Sequence, residues 1–134
     1  MNHRILGKTG LEVSLLSFGT GGPSNFGQPR GLIQSEQTKL VRRSLDLGIN
    51  LFDTSSLYND SETILGNALS GVSRDTYFIS TKWRELNYDP KDLRKTIDRS
   101  LRLLGTDYID IMHFHGPLPE EYDVVVERAY PAID

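Results

Sequence analysis

Apolar positions along this chain follow two alternating rhythms. Short consecutive runs give way to stretches in which apolar residues recur every third or fourth position, the signatures of strand and helix. Arg4-Ile5-Leu6 and Leu11-Glu12-Val13-Ser14 flank Gly7-Lys8-Thr9-Gly10 and predict a hairpin. Leu15-Leu16-Ser17-Phe18 predicts a short buried strand. It ends at Gly19-Thr20-Gly21-Gly22-Pro23, where glycines let the backbone turn sharply or approach a ligand. Residues 23–34 read as a polar loop.

From there strand and helix alternate. Ser35 is the expected N-cap of a helix whose apolar face uses Leu40, Val41 and Leu45, with Gly48 as its left-handed stop. Ile49 to Asp53 predicts a strand, and Ser61 to Leu69 a helix behind an Asn59-Asp60-Ser61 capping cluster. Thr76 to Thr81 is rich in strand formers. Asp89 with Pro90 opens a third helix, with Leu93, Ile97, Leu101 and Leu104 as its buried stripe and Gly105 as its end. Tyr108 to Phe114 predicts a fourth strand, and a further helix begins near Pro119.

Strands separated by helices require crossovers, so the sheet is expected to be parallel. The expected fold is α/β, a parallel (β/α) barrel of the TIM type. About its first four βα units are present, behind an N-terminal β-hairpin, with residues 1–134 as one domain. A full barrel of this type has eight units in typically about 250 residues, so the expectation is a half-barrel.

Composition narrows the classes. The chain has 134 residues, 37% hydrophobic and 25% charged, a range that supports a folded core. With 15 Lys and Arg against 18 Asp and Glu, it carries no basic footprint for nucleic acid. Cysteine is absent, which removes disulfides, thiolate metal sites and a cysteine nucleophile. No stretch reads as a membrane span or a signal peptide, and the expected location is the cytoplasm.

Asp53, Lys82 and His115 close successive strands at a spacing close to one βα unit each, about 30 residues. In barrel and open α/β folds alike, ligands bind at the carboxyl ends of the strands. With Tyr58 these residues form a set with a common chemical sense. A phenol is a poor proton donor at neutral pH, and a nearby ammonium favours its ionised form. A carboxylate behind the lysine holds that ammonium, and an imidazole can orient a substrate carbonyl. The set suits proton transfer to a carbonyl oxygen while hydride reaches the carbon. No side chain supplies hydride, so a nicotinamide cofactor is implied. Singly, each residue has an ordinary structural reading: a helix-capping or turn-forming aspartate, a half-buried aromatic, a rim charge, a core histidine. His113 and His115 share one strand face, as two metal ligands would. A third protein ligand is not evident, and His113 is expected to fill the barrel interior.

Four segments resemble the aldo-keto reductase family. Gly48-Ile49-Asn50-Leu51-Phe52-Asp53-Thr54-Ser55-Ser56-Leu57-Tyr58 is similar to its G-I-N-x-F-D-T-A-x-x-Y signature, and Ser61 to Leu69 to its S-E-x-x-L-G-x-A-L helix. Thr81-Lys82 resembles its strand-three T-K, and Asp107 to Pro117 its D-Y-I-D-L-Y-x-x-H-x-P segment. Leu6 to Ser14, with Phe18-Gly19-Thr20, is similar to its capping hairpin and first strand. The tail 127–134 resembles an aldose-dehydrogenase-like branch. The resemblance implies Tyr58 as general acid, Lys82 as the ammonium that tunes it, Asp53 as the ion holding Lys82, and His115 as the group orienting the carbonyl. It implies NADP or NAD as cofactor, NADPH favoured, near Gly19, Thr20, Gly21 and Asp53. Trp83 would line the substrate mouth. The chain departs from the pattern at Ser55 for Ala, Asn59 for Gly and Gly116 for Trp, the last implying a more open pocket or a subgroup unlike the best-known aldose reductases.

The partner expected from the resemblance is a small carbonyl compound or sugar. Against the oxidoreductase reading stands a non-catalytic half-barrel that pairs with a second copy or a complementary half. Its open first and fourth strands would template such pairing, and Phe18, Phe52 and Ile79 or their neighbours are expected on the inward face it would expose.

Overall fold

The computed structural model describes residues 1–84 and 88–132; residues 85–87 and the end of the 127–134 tail lie outside the described residues. The hairpin pairs β1 (His3–Ile5) with β2 (Glu12–Ser14) antiparallel, and its turn closes where Leu6 N–H donates to the Leu11 carbonyl at 2.8 Å. Asn50 ties the hairpin to the sheet. Its side-chain oxygen accepts from Ser14 N–H at 2.7 Å, and its amide donates to the Glu12 carbonyl at 3.0 Å. The hairpin therefore caps the amino ends of the strands, opposite the rim that carries Asp53.

Four parallel strands follow in the order β3 (Phe18–Gly19), β4 (Leu51–Asp53), β5 (Phe78–Trp83) and β6 (Ile111–Phe114). Between them run α1 (Gln34–Asp46), α2 (Ser61–Leu69) and α3 (Pro90–Leu104). After β6 come short helical turns, including α4 (Tyr122–Val124), which merges into a wider π-type turn over Val125–Ala129. Asp89 caps α3 by accepting from Lys91 N–H at 3.0 Å, and Gly105 ends it at φ 65°. Both features were legible in the sequence.

Register fixes which side chains share a face. Gly19 lies beside Asp53, Asp53 beside Ser80, and Lys82 beside His113. These residues share one face with strand period two, and the helices cover the other. The buried core lies on the helix side. Phe52 and Ile79 are fully buried there among Val41, Leu65, Ala68 and Leu104, with Phe18 packed against the same cluster. The sequence left the inward face to these three or to their neighbours, and the alternation gives it to the neighbours Gly19, Asp53 and Ser80. Phe52 precedes Asp53, and Ile79 precedes Ser80, so each takes the opposite side of its strand. The half-barrel thus keeps its aromatic packing under the helices.

Four smaller differences have plain causes. Leu15 and Leu16 are exposed rather than buried in a strand, because regular pairing starts only at Phe18. Ile33, not Ser35, caps α1, and its backbone N–H is satisfied by the Glu36 carboxylate at 3.1 Å. The polar loop 23–34 contains a 3₁₀ turn that drives Phe26 into the core, where its ring meets Phe18 edge-on at 5.5 Å. On α3, Thr96 and Ser100 are buried beside Leu93 and Leu104, so the buried stripe lies slightly round from the leucine and isoleucine face. Gly66 lets α2 meet α3 closely: a Cβ there would lie 2.5 Å from the Leu103 carbonyl oxygen. Among the described residues, no helix is long and apolar enough to cross a membrane.

At the amino end of β5 and β6, Arg74 is held from several sides. It pairs with Asp110 at 2.5 Å and donates to the Tyr77 carbonyl at 2.8 Å and to Thr106 Oγ1 at 3.0 Å. Its guanidinium lies 3.8 Å from the centre of the Tyr108 ring. Asp110 also accepts from Ile79 N–H at 2.8 Å, so one carboxylate links both strands and the Arg74 turn.

Candidate active site

Strand alternation aims Ser80 and Lys82 at the same side of β5, and parallel register sets Ser80 beside Asp53, the last residue of β4, with Lys82 two residues further on. The Ser80 hydroxyl donates to Asp53 Oδ1 at 2.9 Å. Lys82 Nζ donates to Asp53 Oδ2 at 2.6 Å and to the Thr54 carbonyl at 2.8 Å. The side chains are 17% exposed for Lys82 and 32% for Asp53, so the pair is partly shielded yet open to a ligand.

The chain beyond Asp53 is anchored to β5. Thr54 N–H donates to the Ser80 carbonyl at 2.8 Å, and the Ser56 hydroxyl to the Lys82 carbonyl at 3.1 Å. A turn closed by Tyr58 N–H on the Ser55 carbonyl, 3.1 Å, brings Tyr58 back over the site. Its ring centre lies 5.1 Å from Lys82 Nζ and 5.5 Å from the His115 ring, edge to face at 87°. Asn59 follows at φ 50°, a left-handed conformation that Asn tolerates better than most residues. That explains how Asn can stand where the family pattern has Gly.

The glycine loop divides by role. Gly19 flanks Asp53 with nothing within 4 Å of where a Cβ would lie, whereas a Cβ on Gly21 would sit 2.5 Å from the Tyr58 ring. Gly21 is therefore a seat for Tyr58. Thr20 is fully buried, its hydroxyl donating to the Asp53 carbonyl at 3.2 Å.

His115 sits just past β6, held by its N–H to the Trp83 carbonyl at 2.8 Å. Its Nδ1 lies 3.0 Å from Ser55 Oγ. Burial, and then the positive charges of Lys82 and Arg84, push its pKa below the usual imidazole value, against a smaller opposing pull from Asp53. The shift favours the neutral ring at pH 7.

Asp53, Tyr58, Lys82 and His115 converge; Trp83 does not join them. Trp83 follows Lys82 and so points to the opposite face, fully buried against Tyr88 at 5.3 Å and Phe114 at 5.9 Å between ring centres. It belongs to a second core cluster with Leu93 and Val125 rather than to the substrate mouth. His113 lies on the inner face beside Lys82 and is exposed. Among the described residues, no three His, Cys, Asp or Glu side chains gather as metal ligands would.

Sequence reasoning did not single out Ser80 or Arg84. Ser80 was available from period two, as the residue two before Lys82. Arg84 clamps the segment carrying His115: it donates to the carbonyls of His115, at 3.0 Å, and Gly116, and it pairs with Glu121 at 3.1 Å. That contact spans a long sequence separation, and no local pattern announces it.

A parallel strand set of this kind, with its hairpin and helices, is matched by known proteins. The model of the aldo/keto reductase family matches residues 16–134, and the chain belongs to that family. It is 37% identical to L-galactose dehydrogenase of Arabidopsis thaliana over 97% of its own length, and 33% identical to 6-dehydroglucose reductase of Novosphingobium aromaticivorans over 90%. It spans 43% and 44% of those relatives, less than half of each. A solved structure described as a putative aldo-keto reductase from Pseudomonas aeruginosa superimposes with a TM-score of 0.85 at 34% identity. That match covers 98% of this chain and 53% of the other. The fold is a partial barrel.

Proposed function

We propose that this chain carries the proton-delivering half of a nicotinamide-dependent oxidoreductase acting on aldehydes, ketones or the corresponding alcohols and sugars. The observation that carries the reading is the Lys82–Asp53 ion pair at 2.6 Å, with Tyr58 and His115 stationed beside it at the carboxyl rim. Tyr58 is the general acid, giving its phenolic proton to the carbonyl oxygen in reduction. Lys82 places a positive charge 5.1 Å from the centre of the Tyr58 ring, where it favours the phenolate that forms as the proton leaves. Asp53 and the Thr54 carbonyl hold the ammonium in position, and Ser80 holds the carboxylate. His115, neutral, orients the carbonyl by a hydrogen bond.

The residues present suit one wall of a cofactor site. Open space beside Gly19 adjoins the partly exposed Asp53 carboxylate, while Thr20 acts from behind through its buried hydroxyl. Gly19, Gly21 and Asp53 are the groups that would border a nicotinamide and its ribose. A bound nicotinamide supplies the hydride that no side chain can. NADPH is the favoured form. Sugars are favoured among substrates because two relatives are named for galactose and dehydroglucose chemistry.

A complete barrel built on this segment should consume NADPH with small aldehydes or oxidised sugars. The 134-residue chain alone should bind NADPH weakly and turn over negligibly, since a misplaced reaction centre is costly in rate. Fluorescence titration beside a steady-state assay checks both. Micromolar binding with steady turnover by the isolated chain, or an inert complete barrel, would contradict this reading.

A second reading concerns assembly. Among the described residues β3 pairs only with β4 and β6 only with β5, leaving two sheet edges, while Leu15 and Leu16 lie exposed near the first. Such edges template pairing, and two copies closing edge to edge about a two-fold axis would cover both. Light scattering on the isolated chain should report a dimer or larger species. A monodisperse monomer with a sharp cooperative melt would exclude this mode of assembly.

A further inference from the structure

Ser55 stands where the family pattern has alanine, and its surroundings leave one arrangement of protons. Its side chain is fully buried. Its Oγ accepts from Leu57 N–H at 3.2 Å, a group that can only donate. The hydroxyl hydrogen then needs an acceptor of its own, because a buried donor left unpaired is costly. Among the described residues, His115 Nδ1, at 3.0 Å, is the acceptor in reach. Were the imidazole proton on Nδ1, the serine oxygen would accept twice and its own hydrogen would be stranded.

We propose that Ser55 is a positioning residue that fixes the tautomer of His115, with Nδ1 accepting the serine hydroxyl and Nε2–H presented as a donor. In a neutral imidazole one nitrogen donates and the other accepts, so fixing Nδ1 fixes Nε2. Other groups around the ring favour the same neutral state. Lys82 on β5 and Arg84 just beyond it repel an imidazolium, Asp53 on β4 opposes them more weakly, and Glu121 is engaged with Arg84. Tyr58 meets the ring edge to face and brings no carboxylate to it. The arrangement separates two roles: Tyr58 gives up a proton, while His115 lends a hydrogen bond and keeps its own. The catalytic meaning of this division rests on the oxidoreductase reading. The tautomer itself is a property of the chain.

Long-range proton–nitrogen NMR of the imidazoles tests it on the 134-residue chain, with His115 assigned by its loss in His115→Gln. At pH 7.5 the wild-type ring should show an unprotonated, pyridine-type Nδ1 and a protonated, pyrrole-type Nε2. Ser55→Ala should move both nitrogens toward averaged values. It should also raise the His115 titration midpoint by about half to one unit, the worth of one neutral hydrogen bond to the unprotonated ring. Ser55→Thr, which keeps the hydroxyl, should restore both readouts. Unchanged His3 and His113 signals would show that the fold is kept. A wild-type ring protonated at Nδ1, an averaged wild-type pair, or an unchanged Ser55→Ala spectrum would each overturn the proposal. The wild-type spectrum decides even if Ser55→Ala fails to fold. An inactive complete barrel with the tautomer intact would refute only the oxidoreductase reading.

Discussion

Tyr58→Phe in a complete barrel built on this segment is expected to lower kcat for carbonyl reduction by roughly 10²–10⁴-fold, the usual range of general acid–base help. The substitution removes one oxygen and its proton. The ring keeps its seat against Gly21 and its edge-to-face contact with His115, since both involve the aromatic face and edge. Cofactor affinity should hardly change, because the groups bordering the proposed cofactor wall are Gly19, Gly21 and Asp53. The loss should therefore appear in kcat and leave the cofactor dissociation constant near its original value. Steady-state kinetics beside a binding titration separates the two. A rate within a few-fold of wild type would remove Tyr58 from the role of acid. A parallel collapse of cofactor binding would mean that the ring supports the fold or the cofactor instead.

Arg74→Ala should be the most damaging single change to stability among the ion pairs. The Arg74 and Asp110 side chains are 19% and 8% exposed, and the pair closes the amino ends of β5 and β6. Removing the guanidinium leaves the Asp110 carboxylate buried with Ile79 N–H as its remaining partner. It also removes the donor from the Tyr77 carbonyl and one of the two from the Tyr108 carbonyl, which keeps the Thr106 hydroxyl. Breaking a fully buried pair from one side costs about 3–5 kcal/mol, and this partly buried pair should approach the lower end of that range, a large share of the 5–15 kcal/mol typical of a whole domain. Lys95→Ala is the control. Lys95 pairs with Asp92 on α3 at 3.3 Å, but the two side chains are 79% and 44% exposed, and such pairs contribute about 0–1 kcal/mol. Urea unfolding of the two variants should show a large fall in midpoint for the first and almost none for the second. Equal shifts would mean that Asp110 finds water or another donor when Arg74 is gone.

Much of this architecture could be read from the chain because its signals are local. Asp89 before Pro90, and Gly105 after Leu104, mark helix ends through hydrogen bonds that span only a few residues. The alternation of apolar runs gave parallel βα units without reference to any partner. Asp53, Lys82 and His115 could be placed at one rim because each lies at or next to the carboxyl end of a strand, and parallel strands bring those ends together. What escaped depends on face or on distance along the chain. The faces of Phe52 and Ile79, left open by the sequence, and of Trp83, which does not reach the substrate mouth, follow from one ambiguity. In strands covered on both sides, hydrophobicity does not say which face is inward, and here the polar neighbours Asp53, Ser80 and Lys82 decide it. Phe26 was hidden because a Gly- and Pro-rich loop gives no period from which to infer burial. Arg84 reaches the His115 and Gly116 carbonyls and Glu121 across a whole βα unit, and only the folded chain brings them together. Ser55 was visible as a departure from the family pattern, but its meaning needed the position of His115 Nδ1.

The central claim is that Tyr58, Lys82, Asp53 and His115 protonate a carbonyl oxygen while hydride reaches its carbon. Transfer of label measures that event most directly. A complete barrel built on this segment would be incubated with a small aldehyde and NADPH deuterated at the transferable position of the nicotinamide, and the alcohol analysed by mass spectrometry. The account predicts one deuterium on the former carbonyl carbon, formed by the wild type and roughly 10²–10⁴-fold more slowly by Tyr58→Phe. Alcohol without deuterium, or deuterated alcohol formed equally fast by both proteins, would contradict it.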